Sequence, residues 1–297
     1  MNKQISGVLK MNFHNLLKSP GLIILDGAIG TELDKLGNYT RCENNLTNPE
    51  NVTHVHRDYI NAGSTAIITN TLTMNRIFIE THKLNIDITR VNLAGAKIAR
   101  EATGNNGYVL GNLSATGQML EPYGNYTEEQ FIKAYTEQAN LLNEGGVDGF
   151  IIETMFDLRE AVCALKACKK VSDKPVLVSI AYKTESDGGR TMMGNTAIEC
   201  VRSFADEGAD AIGANCGEID PFQMAEIIKI YAGTTKLPIF AEPNAGRPKL
   251  VNGETVFDMN PLEFSDGLIK CMEAGAKLLG GCCGATPDHI RAFSKRI

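Results

Sequence analysis

Two adjacent cysteines close a short apolar run near the end of the chain, Leu278-Leu279-Gly280-Gly281-Cys282-Cys283-Gly284. A regular strand would send their thiols to opposite faces. The flanking glycines let the backbone leave that geometry, so both sulfurs can turn toward one point. A third thiol ends a similar run, Asp210-Ala211-Ile212-Gly213-Ala214-Asn215-Cys216. Three thiolates from two strand ends would bind zinc and leave its fourth position open, the layout of a catalytic rather than a structural site. The competing readings are plainly buried thiols or a vicinal disulfide. The matching Asn-Cys-Gly strand end favours the metal.

Other polar residues close apolar runs in the same way: Asp26, Asn70, Glu153, and Glu242 with Asn244. Asp26 and Glu153 could hold a substrate ammonium group through charge-assisted hydrogen bonds. Alternatively, each caps nearby backbone N–H groups. Asn70 reads more as a turn former, and Asn244 as either. The tight Glu242-Pro243-Asn244-Ala245-Gly246 segment is expected to line a pocket. Cys42, Cys163, Cys168, Cys200 and Cys271 are explained by packing. His54 and His56 stand two apart on a helix, where side chains do not share a face, and are not read as a metal pair. Lys183 follows a strand end, where a Schiff-base lysine could sit, but that chemistry leaves the three cysteines unexplained.

The elements that must position these residues alternate regularly. Continuous apolar runs begin near Leu22, Ala66, Tyr108, Gly149, Pro175, Asp210, Leu237 and Leu278. Such runs suit strands buried on both faces. Between them lie helix signals. Asn48-Pro49, Asp220-Pro221, Asn260-Pro261 and Thr286-Pro287 are cap-and-proline starts. Thr127-x-x-Gln130, Asp157-x-x-Glu160 and Thr196-x-x-Glu199 are capping boxes. About eight strand–helix units predict an α/β fold, a (β/α)8 or TIM barrel, whose active site lies at the C-terminal strand ends. A doubly wound sheet is the alternative, but no Gly-x-Gly-x-x-Gly turn follows any strand. The expected organisation is one barrel over residues 1–297, with 1–20 a short extension.

The 297 residues are 43% hydrophobic and 22% charged, with net charge −6. That balance gives no basic footprint for nucleic acid or an acidic membrane. No apolar run approaches a membrane span. Met1 to Lys10 lacks the apolar core of a secretion signal. The eight cysteines then read as reduced thiols of a cytoplasmic protein.

Taken in order, Asp26-Gly27-Ala28-Ile29-Gly30-Thr31-Glu32, Thr69-Asn70-Thr71, Glu153-Thr154, Asn215-Cys216, Glu242-Pro243-Asn244-Ala245-Gly246 and Gly280-Gly281-Cys282-Cys283-Gly284 resemble the homocysteine S-methyltransferase family. The resemblance runs from about Phe13 to Arg291. With Arg247-Pro248 and Asn252-Gly253-Glu254-Thr255, the details are most similar to the homocysteine-binding module of cobalamin-dependent methionine synthase. The resemblance implies zinc held by Cys216, Cys282 and Cys283. It implies that Asp26 and Glu153 grip the amino group of homocysteine. Backbone N–H groups of the loop at Gly27 and Ala28 would take its carboxylate, and Asn244 is carried over as a further contact.

The implied activity is methyl transfer to the thiol, giving methionine. Two positions depart from the family: Leu72 stands where a Phe is common, and Ser114-Ala115-Thr116 where Gly-Pro-Thr is common. Both bear on the donor rather than on thiol activation. None of the five histidines lies in an Asp-x-His-x-x-Gly cobalamin motif. Methyl-cobalamin on a separate corrinoid protein is therefore the first expectation for the donor, and a small sulfonium or betaine the second. A non-catalytic zinc-binding barrel is the reading from a different class.

Overall fold

The computed structural model describes residues 10–297, apart from 106 and 252. The opening segment before Lys10 and Asn252 of the quoted motif lie outside the described residues. Eight parallel strands carry the fold: β1 (Ile23–Ile24), β2 (Ala66–Ile68), β3 (Tyr108–Leu113), β4 (Gly149–Met155), β5 (Val176–Ile180), β6 (Ala211–Asn215), β7 (Ile239–Glu242) and β8 (Leu278–Leu279). They pair in the order β1-β8-β7-β6-β5-β4-β3-β2, every neighbour parallel. The remaining seam, between β1 and β2, has no regular ladder. It is bridged instead by the Thr65 N–H donating to the Ile24 carbonyl at 2.7 Å and the Ile68 N–H donating to the Asp26 carboxylate at 3.0 Å. The result is a nearly closed (β/α)8 barrel, as the strand–helix alternation predicts.

Its interior has two levels. Toward the N-terminal ends of the strands, Ile23, Leu25, Leu110, Ile151, Leu177 and Phe240 form an apolar plug. The helix Phe13–Lys18 closes that end by inserting Phe13 and Leu17. Lys277 fixes this helix by donating to the Leu17 carbonyl at 2.5 Å and to that of Ser19, satisfying carbonyls its last turn leaves free. Toward the C-terminal ends the interior turns polar, with Asn112, Glu153, Ser179, Asn215 and Glu242 all buried. A larger apolar layer lies between strands and helices.

The outer helices begin where the sequence signals place them. Thr127 and Thr196 form complete capping boxes, Asp220 and Asn260 cap ahead of a proline, and Gly63 ends its helix at φ 114°. Two signals fail: Asn48 makes no side-chain cap bond at the start of the helix Pro49–Ala62, and the second failure is at the Asp157 box. Asp157 caps the helix Leu158–Val171, but Glu160 does not complete the box. It turns inward, buried, and accepts hydrogen bonds from the Thr116 N–H at 2.7 Å and the Tyr135 hydroxyl at 2.8 Å. A tertiary partner able to use its carboxyl outcompetes the local one. Two antiparallel hairpins, Tyr182–Thr184 with Arg190–Thr191 and Lys249–Val251 with Glu254–Val256, are additions that strand–helix alternation does not predict. Among the described residues, no helix is long and apolar enough to cross a membrane.

Candidate functional site

The three cysteines singled out by spacing converge. Their sulfurs all lie within 4.8 Å of one another at the C-terminal ends of β6 and β8. Exposure separates them from the other thiols: Cys216, Cys282 and Cys283 are partly open, while Cys42, Cys163, Cys168, Cys200 and Cys271 are buried. The turn that delivers Cys216 is costly. Cys216 itself has φ 54° and Gly217 follows at φ 76°, a left-handed pair that a side chain tolerates poorly. The EPNAG segment braces the other two thiols from behind. Ala245 N–H donates to the Cys283 carbonyl at 2.9 Å, and Cys282 N–H to the Pro243 carbonyl at 2.8 Å.

The sulfurs open onto a cavity of about 170 Å³, whose wall also includes Gly27, Ala28, Asn112, Glu153 and Arg41. It has room for a small amino acid. Among the described residues, six other than glycine are held at positive φ, and three of them (Arg41, Thr154 and Cys216) line this one cavity. Strain of this kind persists only where surrounding structure enforces it, and it gathers at functional sites.

Glu153 is the carboxylate on the wall. At Thr154 (φ 57°) the β4 register shifts, and Glu153 is left inside the barrel. Asn112 donates to one of its oxygens at 2.5 Å and Asn215 to the other at 3.3 Å. Asn215 is itself fixed, accepting from the Thr154 N–H at 2.8 Å and the Ser179 hydroxyl at 2.6 Å. Its amide also reaches the Cys282 sulfur at 3.8 Å. One asparagine thus orients both the carboxylate and the sulfur cluster.

Asp26 and Asn244 are nearby but lie behind the wall rather than on it. Asp26 spends one oxygen on the seam, and the other has no protein partner. Asn244 donates to the Gly217 carbonyl at 3.0 Å, which leaves its carbonyl oxygen without a protein partner. The Ala28 N–H is occupied, donating to the Ala285 carbonyl at 3.0 Å. Asn70 lines the cavity, but its side chain serves the fold, donating to the Arg41 carbonyl and to Asn45. Lys183 does not line this cavity and is exposed on a hairpin strand. His54 faces solvent beside Asp58, and His56 is buried.

The electrostatics are those of crowded acids. Burial pushes the Glu153 carboxyl up to about 7, with the Cys216 sulfur adding to the effect and the Asn112 hydrogen bond opposing it. Burial also raises Asp26 and Glu242 well above the ordinary carboxylate range, Glu153 contributing to both. Neither oxygen of Glu242 has a protein partner. Three buried carboxyls so close cannot all ionise without a cation among them. Within the sulfur cluster, hydrogen bonds from Cys216 and Cys282 hold Cys283 down to about 4. Hydrogen bonds with Cys216 and Cys283 raise Cys282. Without a positive charge, the cluster accommodates one thiolate.

Sequence reasoning does not reach Arg41 or the roles of Asn112 and Asn215. Asn112 had a signal, being an amide within the otherwise apolar Tyr108–Leu113 strand. Arg41, in an irregular loop, had none.

The sequence and the barrel fold match a known class. The homocysteine S-methyltransferase family model covers residues 23–297, and the chain belongs to that family. It is 30% identical to methionine synthase of Mycobacterium leprae over 93% of its length and 30% identical to methionine synthase of Mycobacterium tuberculosis over 94%. The chain spans about a quarter of the length of these relatives, 24% and 25% respectively. Among solved structures, it superposes on the metallated form of the homocysteine methyltransferase MmuM from Escherichia coli with a TM-score of 0.79. The identity there is 22%, and the match covers 95% of this chain and 99% of that one.

Proposed function

We propose that this chain activates the thiol of homocysteine for methyl transfer, giving methionine, with zinc held by Cys216, Cys282 and Cys283. The convergence of three partly open thiols within 4.8 Å carries the reading. The donor set fits the ion: tetrahedral sulfurs at a bond length of about 2.3 Å stand roughly 3.8 Å apart. Bound there, zinc would supply Lewis acidity, keeping a fourth, substrate sulfur as thiolate at neutral pH.

The chain's own groups supply orientation. Glu153, held on both oxygens by amides, accepts the substrate ammonium. Asp26, with its free oxygen behind the wall, adds negative charge. The substrate cation relieves the repulsion among the buried carboxyls, so its binding and their ionisation support one another. Fixed at both ends, the thiol presents one face to a donor entering from the open mouth. The Gly27-Ala28 loop and Asn244 shape the substrate's other end and the cysteine turn.

For the donor we favour methyl-cobalamin on a corrinoid protein, on the strength of the Glu242–Gly246 loop and the similarity to methionine synthases. A small sulfonium or betaine donor is the second reading. A second hollow that shares Cys216 is lined by Phe156, Tyr182 and Met192 together with Lys183 and Glu218; its aromatic faces and the Glu218 carboxylate suit a methylated cation, and Lys183 opposes one.

The test is X-ray absorption at the zinc edge on the purified protein. Three sulfur ligands should become four on adding homocysteine. Cys216→Ala and Cys283→Ala should each lose zinc and turnover together, and retained zinc-dependent activity in either would count against the assignment. Methyl transfer assayed with methyl-cobalamin and with S-methylmethionine then separates the donors.

A further inference from the structure

The cavity wall is acidic except at one point. Arg41 is the only cationic side chain lining it among the described residues. It stands in the short turn Arg41–Glu43, outside every segment that carries the family resemblance.

Its placement is enforced. Arg41 is held at φ 48°, a conformation glycine would adopt more cheaply. The Asn70 amide pins its carbonyl at 3.0 Å, and Asn45 pins Asn70 in turn. The next residue, Cys42, is buried and donates to the Leu72 carbonyl at 3.2 Å. The loop is therefore locked to β2, and Arg41, with an exposed side chain, lines the cavity. There it forms no ion pair with any carboxylate among the described residues.

A homocysteine molecule, on the reading above, has three groups to place. The thiol goes to the sulfur cluster, and the ammonium goes to Glu153 on the wall. The carboxylate needs donors near the mouth, and of the loop N–H groups at Gly27 and Ala28 that of Ala28 is already engaged with Ala285. We propose that Arg41 binds the α-carboxylate of the amino-acid thiol and makes this site select thiols that carry one. The planar guanidinium fork matches a carboxylate through two parallel hydrogen bonds, which lysine cannot reproduce.

The inference rests on the thiol-methylation reading, and one experiment separates the two. Calorimetry on the zinc-loaded protein would compare homocysteine with 3-aminopropane-1-thiol, the same molecule without its carboxylate. In wild type, homocysteine should bind more tightly. Arg41→Gln should weaken homocysteine about tenfold, in the range of one charge-assisted contact at a partly solvated site. The same variant should leave the amine's affinity within about twofold, and Arg41→Lys should recover part of the loss. Equal weakening of both ligands would mean a structural role, and unchanged homocysteine affinity would mean no role. Either result overturns the inference while the thiol reading stands. Failure of wild type to bind either thiol overturns both.

Discussion

At the scale of single residues, the site works by holding incompatible charges together. Glu153 is kept between two amides, one of which also touches the sulfur cluster. Glu153→Gln preserves its volume and removes the charge. We expect metal content to stay at the wild-type level while homocysteine binding weakens by about 1.5–3 kcal/mol, the range for a hydrogen bond to a charged group. Metal analysis and calorimetry on the same preparation check this. Loss of zinc in that variant would place Glu153 in the metal's own support rather than on the substrate.

At the scale of elements, the strand ends do the positioning. β6 leaves its sheet through two left-handed residues, and Gly217 is irreplaceable on two counts. A side chain at φ 76° is strained, and a Cβ there would stand 2.2 Å from the Tyr182 carbonyl oxygen. Gly217→Ala should cost more than the roughly 1–2 kcal/mol of the conformation alone, and should loosen the metal by tilting Cys216. A denaturation midpoint and a zinc affinity both equal to wild type would refute this account of the turn. The loop after β3 is held differently, by the inward-turned Glu160. Glu160→Gln keeps an acceptor for the Thr116 N–H and the Tyr135 hydroxyl and should be tolerated. Glu160→Ala strands both donors and should cost about 1–3 kcal/mol in urea unfolding.

At the scale of the whole molecule, the barrel divides its work between its ends. The N-terminal end is sealed by Phe13 and Leu17 and serves stability. The C-terminal end carries the strained turns and unpartnered acids. One buried group outside the site makes global stability depend on pH. His56 is fully buried with no protein partner for either ring nitrogen, and burial holds its pKa at about 4, against 6.5 for the free side chain. The unfolded chain therefore binds a proton in this window that the folded chain excludes. Stability should fall as pH drops from about 6.5 toward 4, by about 2 kcal/mol at pH 5 from this residue alone. His56→Leu, close in volume, should lose less stability between pH 7 and pH 5 than wild type does. Parallel urea titrations that fall equally in both proteins would show that His56 is not the source.

What the sequence determined by itself is local in origin. Thr127, Thr196, Asp220 and Asn260 announce helix starts because a cap bonds to amides two or three residues away. The apolar runs announce buried strands because both faces of a parallel barrel strand are covered. Cys216, Cys282, Cys283 and Glu153 stood out because thiols and carboxylates at strand ends are chemically conspicuous and a barrel gathers strand ends at one rim. Tertiary structure decided what depends on distant partners. Glu160 abandons its capping box because Tyr135 and Thr116 wait inside. Asn112 and Asn215 become supports because β3 and β6 flank the interior that Glu153 enters. Arg41 reaches the cavity because Asn70, 29 residues away, pins its carbonyl. No periodicity encodes such contacts: each joins residues far apart in sequence, and its energy is realised only once the barrel has closed.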